Sequence, residues 1–158
     1  MYNILVLCTG NSARSILAEA ILNRDGAGRV RAWSAGSNPT GRVNPGAISL
    51  LERKGLPGQG YRSKSWDEFA SPGAPDMHLV ITVCASAAGE VCPAWPGAPM
   101  TAHWGVDDPA IAPTDQLDLA FQAAYHRLSV RINAFLALPF ERMGPDDLRL
   151  RLAAIADM

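Results

Sequence analysis

The sequence predicts an α/β fold built on an open, mainly parallel sheet, and three observations carry that prediction. Strand-like apolar runs alternate with helical patterns through the first half of the chain, as they do where right-handed crossovers join parallel strands. The runs Ile4 to Leu7 and His78 to Val83 are continuous rather than alternating, the mark of strands covered on both faces. Each run ends at a cysteine, Cys8 and Cys84, so parallel strands would deliver both thiols to the sheet edge where such folds bind ligands.

The elements follow in order. After the strand ending at Cys8, Ile16, Leu17, Ala20 and Ile21 recur at helical spacing and Gly26 and Gly28 stop the pattern, giving a helix over about 14–25. Val30 to Ala35 has strand character and ends in a turn at Gly36 and Asn38-Pro39. Pro45-Gly46 opens a second helix over Ala47 to Lys54, closed by Gly55. Ser63 to Phe69 holds either a short strand or one helical turn. Between Cys84 and Cys92 lie seven small or flexible residues that can form a brief helix yet deform easily, and Pro93, Pro96, Gly97 and Pro99 mark a long surface connection. Met100 to Trp104 reads as a strand and Gly105 to Pro109 as a loop. With Thr114 or Asp115 as N-cap, Leu117, Phe121, Ala124, Leu128, Ile132 and Phe135 define a long amphipathic helix to about Leu138. A final helix runs near Pro145 to Ala156, and Trp33, Trp66, Trp95 and Trp104 read as core or loop packing.

The chain has 158 residues, the size of one domain, 1–158. A formal net charge of −1 with scattered basic residues gives no nucleic-acid face and no membrane-surface patch. No apolar run approaches the roughly 20 residues that span a bilayer, and Met1 leads directly into a strand, so a cytoplasmic protein is expected. Three cysteines, at 8, 84 and 92, are an odd number and argue for chemistry rather than a disulfide framework.

The stretch Cys8-Thr9-Gly10-Asn11-Ser12-Ala13-Arg14-Ser15 between strand and helix reads as an anion cradle with a thiol at its floor. The loop amides and the positive end of the helix dipole converge where a tetrahedral oxyanion would sit. Arg14 offers bidentate bonds to two of its oxygens. The same field favours a thiolate; thiols at helix N-termini titrate at roughly 3.5–7.5 rather than about 8.5. Ser15 could donate to that thiolate, Gly10 allows the tight turn, and Asn11 suits a left-handed or strained loop. The plain alternative makes Cys8 a buried strand-end cysteine and Asn11, Ser12 and Ser15 helix caps.

With this loop, the later Cys84 and Cys92, and the run His103 to Pro109, the chain resembles the arsenate reductases built on the low-molecular-weight tyrosine phosphatase fold, over most of residues 2–137. The resemblance implies a three-layer sandwich in which helices flank a four-stranded parallel sheet. It also implies that Cys8 attacks arsenate held by Arg14 and the loop amides, while Asp108 protonates the departing oxygen, with Asp107 as the competing acid. Cys84 would then attack the sulfur of Cys8, and Cys92 the sulfur of Cys84, leaving a disulfide for thioredoxin, or for glutaredoxin with glutathione, to reduce. Phosphate and sulfate would compete as oxyanions, and no cofactor is implied. Ala13 stands where some relatives carry another cysteine, and the Cys84 to Cys92 spacing is one residue longer than in the best-known thioredoxin-coupled relatives. Asn11, Glu19 and Ser34 match residues of a potassium site in some relatives, but Trp66 falls where an aspartate would complete it, so no metal is assigned.

Three rival functions follow from the same residues. A low-molecular-weight tyrosine phosphatase shares loop, thiol, arginine and acid, yet Ala110-Ile111-Ala112 replaces the aromatic residues that usually follow the Asp-Pro. A non-catalytic oxyanion binder would need only the loop. A zinc site from Cys84, Cys92, His78 and His103 is disfavoured, because Cys-x7-Cys is wider than common zinc spacings.

Overall fold

The computed structural model of the chain describes residues 1–84 and 95–158. Four strands, β1 (Tyr2–Cys8), β2 (Val30–Gly36), β3 (Leu79–Thr82) and β4 (Met100–His103), form one sheet in the order β2-β1-β3-β4. All three pairings are parallel, with Cys8 beside Gly36 and Leu7 beside Thr82. Among the described residues the α-helices are α1 (Arg14–Asp25), α2 (Pro45–Arg53), α3 (Leu117–Leu136) and α4 (Pro145–Ala156).

Alternation along the strands separates two apolar layers, as the two-residue period requires. Ile4, Val6, Cys8, Leu79 and Ile81 point to one face and join the buried side chains of all four helices. Leu5, Leu7, Ala35 and Val80 point to the other, where Trp66, Phe69 and Met77 cover them and Trp33 and Trp95 pack alongside. Both faces of β1 are therefore apolar, which is why its sequence runs without alternation. Helix α1 buries Ile16, Leu17, Ala18, Ala20, Ile21 and Leu22, too many directions for a one-sided helix, because it is wedged between the sheet, α2 and α3. Helix α3 keeps the expected single stripe through Phe121, Ala124, Leu128, Ile132 and Phe135.

The start of α3 needs correction. Neither Thr114 nor Asp115 caps α3: Thr114–Gln116 make a 3-10 turn closed by Gln116 N–H to the Pro113 carbonyl at 2.8 Å, and the helix proper begins at Leu117 with no side-chain cap. The loop expected over Gly105 to Pro109 runs straight into another 3-10 turn, Pro109–Ile111, which Asp108 caps by accepting the Ala110 N–H at 3.0 Å. The open choice at Ser63 to Phe69 resolves into both forms: Ser65 bridges Gly36 in parallel fashion, then Trp66–Phe69 form a 3-10 turn capped by Ser65. The segment from 85 to 94, including Cys92, lies outside the described residues.

Candidate active site

The loop after β1 closes around the sulfur of Cys8. Cys8 is 3 % exposed; its Sγ shares a hydrogen bond of 3.0 Å with Ser15 Oγ and accepts the Asn11 N–H at 3.2 Å. Ala13, at the N-cap of α1, offers no side-chain acceptor. The first-turn N–H groups of a helix have no intrahelical carbonyl, so here they remain available to an anion above the sulfur.

The shape of the loop is fixed from three sides. Asn11 is fully buried with φ of 46°, a left-handed conformation that asparagine tolerates better than most residues. Its side-chain amide donates to Ser15 Oγ (2.8 Å) and Ser34 Oγ (3.0 Å), and its carbonyl accepts the Lys64 N–H (2.9 Å). Gly10 offers its carbonyl to Thr40 N–H and Ser63 Oγ, both at 3.0 Å. Gly36, at the end of β2, lies so close that a Cβ there would run into the Thr9 carbonyl oxygen.

The polar chain continues inward. Ser34 donates to Glu19 at 2.7 Å, and the Lys64 ammonium lies 3.9 Å from that carboxylate. Burial pushes the Glu19 carboxyl up and the Lys64 amine down, because neither charge is well solvated there. The chemistry of Asn11, Ser34 and Glu19 thus has a cation beside it supplied by the chain itself.

Arg14 and Asp108 face each other across the mouth. Arg14 Nη1 donates to the Val106 carbonyl at 2.9 Å, and its Nη2 stands 3.7 Å from Asp108 Oδ2. Asp108 is about one-third exposed (34 %), whereas Asp107 is exposed outright on the rim of the neighbouring groove. Cys84 is 4 % exposed and sits against the loop: its Sγ accepts the Thr9 N–H at 3.2 Å and lies 3.4 Å from Thr9 Oγ1. The structure therefore brings together Cys8, Asn11, Arg14, Ser15, Cys84 and Asp108. The Thr9 amide departs from the expected cradle, since it is given to Cys84 rather than left for an anion. His78 and His103 are engaged elsewhere, His78 Nδ1 with the Asn3 N–H and His103 Nδ1 with Thr82 Oγ1.

Sequence reasoning missed Lys64 and Gly36 as parts of the site. Lys64 carries no local signal, since its value comes from a partner 45 positions earlier. For Gly36 the available signal was its place at a strand end alongside Cys8, read only as a turn.

A parallel sheet whose first loop wraps a buried thiol beneath an unsatisfied helix N-terminus defines an oxyanion-handling α/β protein with a cysteine at its centre. The chain belongs to the low molecular weight phosphotyrosine protein phosphatase family, whose model matches residues 3–144. Among curated relatives, an arsenate reductase of Halalkalibacterium halodurans is 37 % identical over 134 residues, 84 % of this chain and 93 % of that protein. One from Staphylococcus aureus is 33 % identical over 132 residues, 84 % of this chain and 94 % of its own length. A solved arsenate reductase in its phosphate-binding state superposes with a TM-score of 0.65 at 26 % identity, covering 84 % of this chain and 98 % of that one. No helix among the described residues is long and apolar enough to cross a membrane.

Proposed function

We propose that the chain is an arsenate reductase working by a three-cysteine relay. The observation that carries this reading is the place of Cys84: its sulfur accepts the backbone N–H of Thr9, the residue next to Cys8, so a second buried thiol adjoins the nucleophile's loop. Displacement at arsenic needs one thiol, but moving two electrons onto it needs another within reach of the first.

In the proposed sequence, Cys8 thiolate attacks arsenic and one arsenate oxygen leaves as water, protonated from Asp108, while Arg14 and the α1 amides hold the remaining oxygens. Cys84 thiolate attacks Cys8 Sγ; a sulfur–sulfur bond forms, the sulfur–arsenic bond breaks, and its electron pair stays with arsenic as arsenite. Cys92 then attacks Cys84 Sγ and releases Cys8 as a thiolate. The Cys84–Cys92 disulfide passes to a dithiol donor of the thioredoxin type, or to glutaredoxin with glutathione. For this the chain's own residues bind, orient and shuttle protons; no cofactor enters. An open groove next to Asp108 is lined by Val106, Ile111, Ala123 and Val130 among others, and among the described residues no phenylalanine, tyrosine or tryptophan lines it to clamp a phosphotyrosine ring.

The test is arsenate-dependent NADPH oxidation with thioredoxin and thioredoxin reductase, repeated with glutaredoxin and glutathione. Wild type is expected to turn over with one donor system and the Cys84→Ser and Cys92→Ser variants with neither, while aryl phosphate cleavage needs only Cys8. Turnover of aryl phosphate with none of arsenate would make the chain a phosphatase.

A further inference from the structure

The family match ends at residue 144, yet α4 beyond it packs against β4 and is tied by hydrogen bonds to the loop that carries Asp108. The ties run through two residues. Arg131 of α3 is 2 % exposed; its Nη1 donates to the Gly105 carbonyl and its Nη2 to the Ala156 carbonyl, both at 3.0 Å. Trp104, buried at the end of β4, donates its indole N–H to the Leu152 carbonyl at 3.2 Å and meets Phe135 edge-on.

These contacts fall in an ordered way along the acid loop. Trp104 and Val106 give their N–H groups to the end of β3 and the residue after it, to the Thr82 and Val83 carbonyls at 2.8 and 2.9 Å. The Gly105 carbonyl is taken by Arg131 and the Val106 carbonyl by Arg14. Asp108 follows two residues later. Two arginines thus grip consecutive carbonyls, one from the anion loop and one from the C-terminal half.

Stability alone does not account for Arg131. It makes no salt bridge among the described residues, and burial presses its guanidinium toward the neutral form. The carbonyl end of α4 supplies partial negative charge for the cation, which makes α4 the counterpart that allows Arg131 to sit there.

We infer that Arg131, backed by the C-terminal helix α4, is a positioning residue that sets the acid loop so that Asp108 reaches the departing oxygen. The inference rests on Asp108 being the general acid. A misplacement of about 1 Å costs up to about a hundredfold in rate, so a clamp three residues from the acid is felt in kcat.

A double-mutant cycle tests it on the full chain, read as kcat and KM of arsenate reduction in the coupled assay. Arg131→Lys keeps the charge but cannot span both carbonyls. It is expected to lower kcat about tenfold with KM unchanged, and to cost nothing further in the Asp108→Asn background. Trp104→Phe removes the other tie to α4 and is expected to give a smaller loss with the same non-additivity; it carries the test if Arg131→Lys fails to fold. Protection of Cys8 from iodoacetamide by phosphate should stay at the wild-type level in both. Equal fold-losses in the presence and absence of Asp108, or no loss at all, would overturn the positioning role. Asp108→Asn without effect would instead overturn the assignment of the acid, and the inference with it.

Discussion

The nucleophile's loop follows β1 and the acid's loop follows β4, at the same edge of the sheet with β3 between them, but the two are built in opposite ways. Residues 8–15 are held by short polar side chains, Asn11, Ser15 and Ser34 buried and Ser63 half-buried, which bond at 2.8–3.0 Å and leave little room to move. Residues 104–108 are held by long side chains reaching in from helices, Arg14 from one side and Arg131 from the other. Cys8 is sealed at the floor, while Asp108 is about one-third open to solvent at 34 %. The difference matches the tasks: an anion cradle gains from donors fixed before the substrate arrives, whereas an acid must exchange its proton with water after each turnover.

Perturbing each loop separates the two. Arg14→Lys removes the fork that both grips Val106 and would bind two oxyanion oxygens, and is expected to lower kcat/KM by about 10² to 10³. Asp108→Asn leaves the cradle intact, and is expected to lower kcat by about a hundredfold with phosphate affinity unchanged in a titration. Gly36→Ala forces a methyl against the Thr9 carbonyl; it is expected to weaken phosphate binding and lower the thermal midpoint, since the clash is with backbone rather than a flexible side chain. If Gly36→Ala bound phosphate normally, the cradle would be looser than its contacts imply.

The smallest expected effect concerns pH. With the Glu19 carboxyl pushed up by burial, the native state holds more protons than the unfolded chain between the ordinary glutamate value and the raised one. Stability therefore falls as pH rises through that window. The buried Lys64 amine, pushed down, acts oppositely on the alkaline side: the unfolded chain holds more protons there, so stability rises with pH up to the ordinary lysine value. Chemical denaturation of wild type against Glu19→Gln at several pH values should show the mildly acid slope in the wild type and a flatter curve in the variant.

What was legible in the sequence was local. β1, the loop from Cys8 to Ser15, α1 and the strand leading to Cys84 follow from contiguous residues, and parallel pairing was enough to place Cys84 at the loop. The four-stranded sheet came with the family resemblance. The N-terminus of α3 was misplaced because Thr114 and Asp115 are good caps in composition, while the 3-10 turn after Pro113 uses up the residues they would have capped. Lys64 and Arg131 were invisible as site supports. A buried cation looks like any surface lysine or arginine until its carboxylate or carbonyl partners, 45 or 26 positions away, are brought alongside.

The most direct test of the central claim, that Cys84 takes over from Cys8, is a single turnover of the Cys92→Ser variant with stoichiometric arsenate, read by peptide mass mapping and arsenite release. The account predicts one Cys8–Cys84 disulfide and one arsenite per chain. Free Cys84 with the arsenic still pentavalent would contradict it.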